Sequence, residues 1–219
     1  MLIINCKNYD CIDEKSIIKL SKIIKEISFK YKIQIIIVPP HHLLTIPLRY
    51  KIPVLAQHVD NIDKNNSTGF LILKSIKISK INGSLINHSE HRITRNDIID
   101  LIQKIKKLNM ISVVCVENVG ELKSYLEYNP TYIAIEPKNL IGTGRSVTTE
   151  NPEIIKHASN ILENHKTKLL CGAGISSSND VTKATELGAN GVLVSSSIIK
   201  STNWYEKINE FANAMFNNI

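Results

Sequence analysis

The sequence predicts an α/β protein folded as a (β/α)8 barrel, and three observations carry that expectation. Short apolar, β-branched runs alternate with segments of helical period eight times along the chain. The runs are apolar at nearly every position rather than every second one, as in parallel strands covered on both faces. Polar residues close the first, fourth, sixth, seventh and eighth runs, where a closed barrel gathers them at one mouth. A doubly wound open sheet is the alternative, and it would string the same residues along a crevice.

Taken in order, residues 2–6 form the first strand, with Ile17, Leu20, Ile24 and Ile27 at helical spacing behind it. Residues 33–38 make a β-branched second strand, and Pro39-Pro40 leads to a small helix before Arg49. The third strand spans 53–57, followed by a polar loop over 65–69 and a helix over 70–79. Residues 83–87 form the fourth strand and run into His88-Ser89-Glu90-His91-Arg92, with Ile98, Leu101, Ile102 and Ile105 marking an amphipathic helix. The fifth strand covers 110–115, with a helix over about 119–128. The sixth covers 132–135, and Asn151-Pro152 reads as a cap and first helical position. The seventh covers 168–171, with a helix ended by Gly188, and the eighth covers 191–194. Trp204, Ile208, Phe211 and Met215 place a last helix on the outside.

Eight units in 219 residues, with no linker and no compositional break, predict a single domain over 1–219. At 43% hydrophobic the chain can bury a sizeable core. No apolar run approaches the roughly 20 residues of a membrane helix. The first residues turn polar too early for a signal peptide, so a cytoplasmic protein is expected. Cys6, Cys11, Cys115 and Cys171 show no C-x-x-C pairing and read as structural thiols. The net charge of +7 is spread over helical faces without arginine clusters or stacking aromatics, which argues against a nucleic-acid partner but allows attraction of a small anion.

If the strand ends converge, Asn5, Lys7, His88 and Glu136 share one cavity. Glu136 ends an apolar run before Pro137, so a rigid strand presents its carboxylate to the mouth, beside a loop carrying Gly142, Thr143 and Gly144. That arrangement suits a general base removing a proton from carbon beside a carbonyl. His88, expected at a helix start and therefore neutral, and the charge of Lys7 would stabilise the enediolate. Gly174, Ser195 and Ser196 offer backbone N–H groups to a phosphate, and closure of residues 137–144 would exclude water. Taken singly, each also has an ordinary reading: a strand-end cap, a surface lysine, a hydrogen-bonded histidine, a turn of serines, or Glu90 opening a helix. His41, His42, His58, His88 and His91 lack convincing ligand spacing, so no metal is expected. Gly172-Ala173-Gly174 is no dinucleotide fingerprint, so no cofactor is expected either.

Together these motifs resemble the triosephosphate isomerase family, and in particular its short archaeal-type form. The resemblance spans the chain: Asn5-Cys6-Lys7, Asn87-His88-Ser89-Glu90-His91-Arg92, Ile135-Glu136-Pro137 with Ile141-Gly142-Thr143-Gly144, and the segments around Gly174 and Ser195-Ser196. It implies reversible isomerisation of dihydroxyacetone phosphate and glyceraldehyde 3-phosphate, serving glycolysis and gluconeogenesis. It implies Glu136 as base, His88 as electrophile and Lys7 as electrostatic partner. Asn5, Ile141, Gly142, Gly174, Ser195 and Ser196 would be substrate contacts, and Glu90 a partner of Lys7. It also implies self-association as a homodimer or homotetramer. Cys6 stands where many members carry an aromatic residue, Lys138-Asn139-Leu140 replaces a bulkier hinge, and Phe70 is unusual in a loop that reaches a neighbouring subunit in the family. Another phosphate-binding barrel, or a catalytically silent one, remains the rival reading.

Overall fold

A computed structural model describes residues 1–64 and 66–217. Eight strands join one parallel sheet: β1 (Leu2–Asn5), β2 (Ile35–Val38), β3 (Leu55–Ala56), β4 (Gly83–Ile86), β5 (Ile111–Val116), β6 (Tyr132–Ile135), β7 (Lys168–Cys171) and β8 (Gly191–Val194). The order is β2-β1-β8-β7-β6-β5-β4-β3, and every pairing is parallel. The two ends of that order meet in a parallel bridge between Ile37 and Val54, where the Ile37 N–H donates to Pro53 O at 3.1 Å. The sheet thereby closes into the barrel expected from the sequence, not an open sheet.

The apolar runs are buried on both faces. Ile3, Ile36, Leu85, Val113, Cys115, Ala134 and Leu170 fill the barrel interior. Their neighbours Leu2, Ile4, Ile35, Ile37, Val114 and Ile133 pack outward under the helices. Each such side chain removed from water contributes about 1.5–3 kcal/mol, and the strand period of two divides them between the two cores.

The helices are α1 (Glu14–Tyr31), α2 (Leu73–Ile78), α3 (Arg95–Lys107), α4 (Val119–Tyr125), α5 (Val147–Glu150), α6 (Pro152–Leu162), α7 (Ser178–Glu186), α8 (Ser196–Ile199) and α9 (Trp204–Phe216). Ile17, Leu20, Ile24 and Ile27 of α1, and Ile98, Leu101, Ile102 and Ile105 of α3, are buried as their spacing required. Capping starts α1 at Asp13, α3 at Thr94 and α7 at Ser177. Asn151 takes the cap position of α6 ahead of Pro152, but its side chain makes no capping bond.

Three local expectations are corrected. The small helix before Arg49 is two 3₁₀ turns, His41–Leu43 and Pro47–Tyr50, because the prolines leave no run long enough for an α-helix. The helix over 70–79 begins only at Leu73, since Leu71 and Ile72 are held extended against Asp60. The helix after β4 begins at Arg95, so His88 lies in the preceding loop and not at a helix start. Asn65, the first residue of the expected polar loop, lies outside the described residues. Among the described residues, no helix is long and apolar enough to cross a membrane.

Candidate active site

Strand ends β1, β4, β6, β7 and β8 surround a cavity of about 440 Å³ lined by Asn5, Lys7, His88 and Glu136 together with Gly174 and Ser195. A second cavity of about 580 Å³ shares Asn5, Lys7 and His88 and extends over Gln57, His58 and His91. The carboxyl ends of the strands therefore bring Asn5, Lys7, His88, Glu136, Gly174 and Ser195 together, with Ile141, Gly142 and Ser196 in the same lining and Glu90 in that of the second cavity.

Asn5 is buried, and its Oδ1 accepts the Lys7 N–H at 3.0 Å. That bond holds Lys7 at φ 44°, a left-handed conformation costing a non-glycine residue about 1–2 kcal/mol. It aims the ammonium at Glu90, whose Oε1 accepts a hydrogen bond from Nζ at 2.6 Å. Glu90 is largely exposed, so the contact fixes direction more than stability.

His88 is buried at the end of β4. Its Nδ1 accepts the Glu90 backbone N–H at 3.2 Å, which leaves the ring proton on Nε2, facing the cavity. A backbone donor, not the helix start expected from the sequence, thus orients this ring. Asn87, in the left-handed region at φ 61°, straps this turn down: Nδ2 donates to Cys115 O at 3.1 Å, and Oδ1 accepts from Ile93 N at 3.2 Å. Arg92 reaches Asn87 O and pairs with Glu121 at 2.7 Å, tying the turn to α4.

Glu136 extends β6 by one bond, its N–H donating to Val116 O at 2.8 Å, and is 5% exposed. Its Oε2 stands 4.0 Å from His88 Nε2 and has no hydrogen-bond partner. Burial first, and then the charge of nearby Glu136, push the Cys115 thiol well above its ordinary value. Burial likewise raises the thiol of Cys6 and takes Cys171 to about 12, so these buried cysteines behave as packing groups. Gly172 clears the space beside Glu136: a Cβ there would lie 2.5 Å from Glu136 Cγ and 2.6 Å from Oε1.

The other wall is built from loops. Gly174 has φ +69°, and a Cβ on it would meet Arg145 O at 1.9 Å. The Val147 N–H donates to Ala173 O at 3.1 Å, so the far end of the glycine-bearing loop is laced to the segment after β7. The near end folds into a 3₁₀ turn, Lys138–Leu140, anchored by buried Leu140, and Gly142 and Gly144 both take positive φ. Arg145 pairs with Glu150, and Ser146 caps α5. Asp180 underlies this foot, accepting from Thr148 Oγ1 at 3.3 Å and from Ser176 and Ser177 N–H at 3.0 and 2.9 Å.

Among the described residues, five buried side-chain polar atoms lack a partner: Gln57 Nε2, Ser89 Oγ, Glu136 Oε2, Ser195 Oγ and Ser197 Oγ. All but Ser89 belong to residues lining the two cavities, where a polar ligand can satisfy them. Among the described residues, no cluster of histidine, cysteine and carboxylate side chains is arranged to hold a metal.

Sequence reasoning named Gly172 and Asn87 only within motifs, without a role of their own, and did not name Asp180. The first of the two glycines after β7, and an asparagine at a strand end where the left-handed conformation suits it, were the available signals. The contact of Asp180 with Thr148 spans 32 residues and left none.

A family model described as triosephosphate isomerase matches residues 1–212. A triosephosphate isomerase of Cenarchaeum symbiosum is 43% identical over 216 residues, covering 98% of this chain and 97% of its own. That of Caldivirga maquilingensis is 40% identical over 215 residues, covering 97% and 96%. That of Methanocaldococcus jannaschii is 38% identical over 213 residues, covering 96% and 97%.

Proposed function

Because the chain belongs to the triosephosphate isomerase family, and so interconverts dihydroxyacetone phosphate and glyceraldehyde 3-phosphate, we propose that Glu136, His88 and Lys7 carry the reaction. The carrying observation is the unpartnered Glu136 Oε2, buried 4.0 Å from His88 Nε2 in the cavity walled by Gly174 and Ser195. Glu136 takes a proton from the carbon beside the substrate carbonyl and returns it to the neighbouring carbon, while the hydroxyl proton passes from one substrate oxygen to the other beside His88. His88 Nε2–H and the Lys7 ammonium meet the oxygens on which negative charge develops. Removing one such positioned donor costs about 100- to 1000-fold in turnover in comparable sites.

Asn5 contacts substrate while holding Lys7 in place, and Glu90 orients the ammonium. Backbone N–H groups around Gly174, Ser195 and Ser196 receive the phosphate, and Ile141 and Gly142 close over it to exclude water from the enediolate. The chemistry asks nothing of a metal or cofactor. Free cysteines, including exposed Cys11, support a cytoplasmic setting, and Phe70, 51% exposed on its loop, supports self-association as a homodimer or homotetramer.

The test is Glu136→Gln in a coupled isomerase assay. Turnover should fall by several orders of magnitude with circular dichroism unchanged, and equal rates would remove Glu136 from the role of base.

A further inference from the structure

The cavity's charges leave one cation unaccounted for. Of the lining residues, Lys7, Glu136 and Lys200 carry full charges. Within this lining Lys7, which also pairs with Glu90 outside it, balances Glu136, so without Lys200 the lining would offer no net positive charge to an incoming phosphate dianion. Lys200 directly follows α8, the short helix that begins at Ser196 on the proposed phosphate wall. Its ammonium lies over the ring of Tyr9, 5.6 Å from the centroid, and among the described residues no carboxylate lies within ion-pair distance of it. Tyr9, from the loop after β1, lines the same cavity.

We propose that Lys200 is a second phosphate-attracting cation of this site, acting alongside Lys7, and that Tyr9 is its perch. The aromatic face holds the ammonium near the cavity without quenching its charge, as a carboxylate partner would. Its attraction acts on the phosphate and not on the reacting carbons, so it favours phosphorylated over unphosphorylated trioses and acts at encounter and binding. Tyr9 is a positioning residue and acts only through Lys200.

This rests on the assignment of the phosphate wall given above, and the experiment separates the two. Wild type, K200M, K200R, Y9F and Y9L are compared on glyceraldehyde 3-phosphate and on glyceraldehyde, and inorganic phosphate binding is measured by calorimetry. In K200M, kcat/KM for the phosphorylated substrate should fall about tenfold further than for glyceraldehyde, chiefly through KM, the factor expected of one partly screened charge contact. Phosphate affinity should weaken by a similar factor and lose part of its dependence on salt. K200R should recover most of the loss, and Y9L should move the substrate ratio in the same direction and further than Y9F. Equal losses on both substrates, or phosphate affinity within twofold of wild type in K200M, would overturn the proposal. If Glu136→Gln were fully active, the reading of the catalytic residues would fail while the phosphate titration still tested Lys200.

Discussion

Glu136 occupies the space in which Gly172 would carry a side chain, its Cγ 2.5 Å and its Oε1 2.6 Å from the position of a Cβ there. The carboxylate is thus positioned from beside by an absence of atoms on β7's extension, as well as from behind by its own strand.

Gly172→Ala should therefore push the carboxylate off its line to His88. A displacement near 1 Å costs about 100-fold in turnover, so kcat should fall by roughly that factor while KM changes little. Steady-state kinetics check this, and kcat within threefold of wild type would show that Glu136 is not held by this contact.

His88 should carry its proton on Nε2 in the free enzyme, because Nδ1 accepts the Glu90 N–H. Nitrogen-15 spectra of labelled protein distinguish the tautomers, and a proton on Nδ1 would contradict the hydrogen bond.

Asn87→Ala removes one buried and one half-buried hydrogen bond and leaves a residue with a Cβ at φ 61°. Unfolding free energy should drop by about 2–3 kcal/mol, with a loss of turnover as the His88 turn loosens. Asn87→Gly, which relieves the conformation alone, should be the less damaged of the two in denaturant titration.

Glu90→Gln should leave the unfolding midpoint almost unchanged, since an exposed ion pair is worth about 0–1 kcal/mol. It should nonetheless lower kcat/KM about tenfold, because the Lys7 ammonium loses its aim. Unaltered kinetics would make the Lys7–Glu90 contact incidental.

Asp180 links the foot of the proposed lid to the segment after β7. Burial pushes its carboxyl up, but bonds from Ser176 N–H, the Ser177 and Ser146 hydroxyls and Ser177 N–H more than offset this and hold it below the ordinary value. A depressed folded value means the carboxylate's stabilisation is complete above the unfolded value, near ~3.9. It is lost as pH falls through the lower folded one. Asp180→Asn should be less stable than wild type at neutral pH, and the gap should narrow on acidification. Thermal melts between pH 7 and 2 check this, and a constant gap would reject it.

How much was legible follows from what each feature depends on. Strands β6, β7 and β8 coincide with their expected bounds because fully buried parallel strands must be apolar at every position. Glu136, Lys7 and His88 were legible because a strand's end fixes where the next polar residue points, and a closed barrel sends all such ends to one mouth. The segment over 39–49 misled because proline and short apolar stretches fit a 3₁₀ turn as well as a helical one. The start of α3 misled because the side chains of Asn87 and Arg92 organise the loop before it through contacts with β5 and α4.

Local periodicity and the chemistry at strand ends were enough for the eight-unit order, the barrel class and the carboxylate, histidine and lysine at the mouth, while the family came from the resemblance of whole motifs. Contacts made on folding set which His88 nitrogen accepts a hydrogen bond, what clears room for Glu136, how the foot of the proposed lid is tied to Ala173 and Asp180, and which cation lies over Tyr9. Those depend on atoms that meet across strands and loops far apart in the chain, at distances that periodicity does not encode.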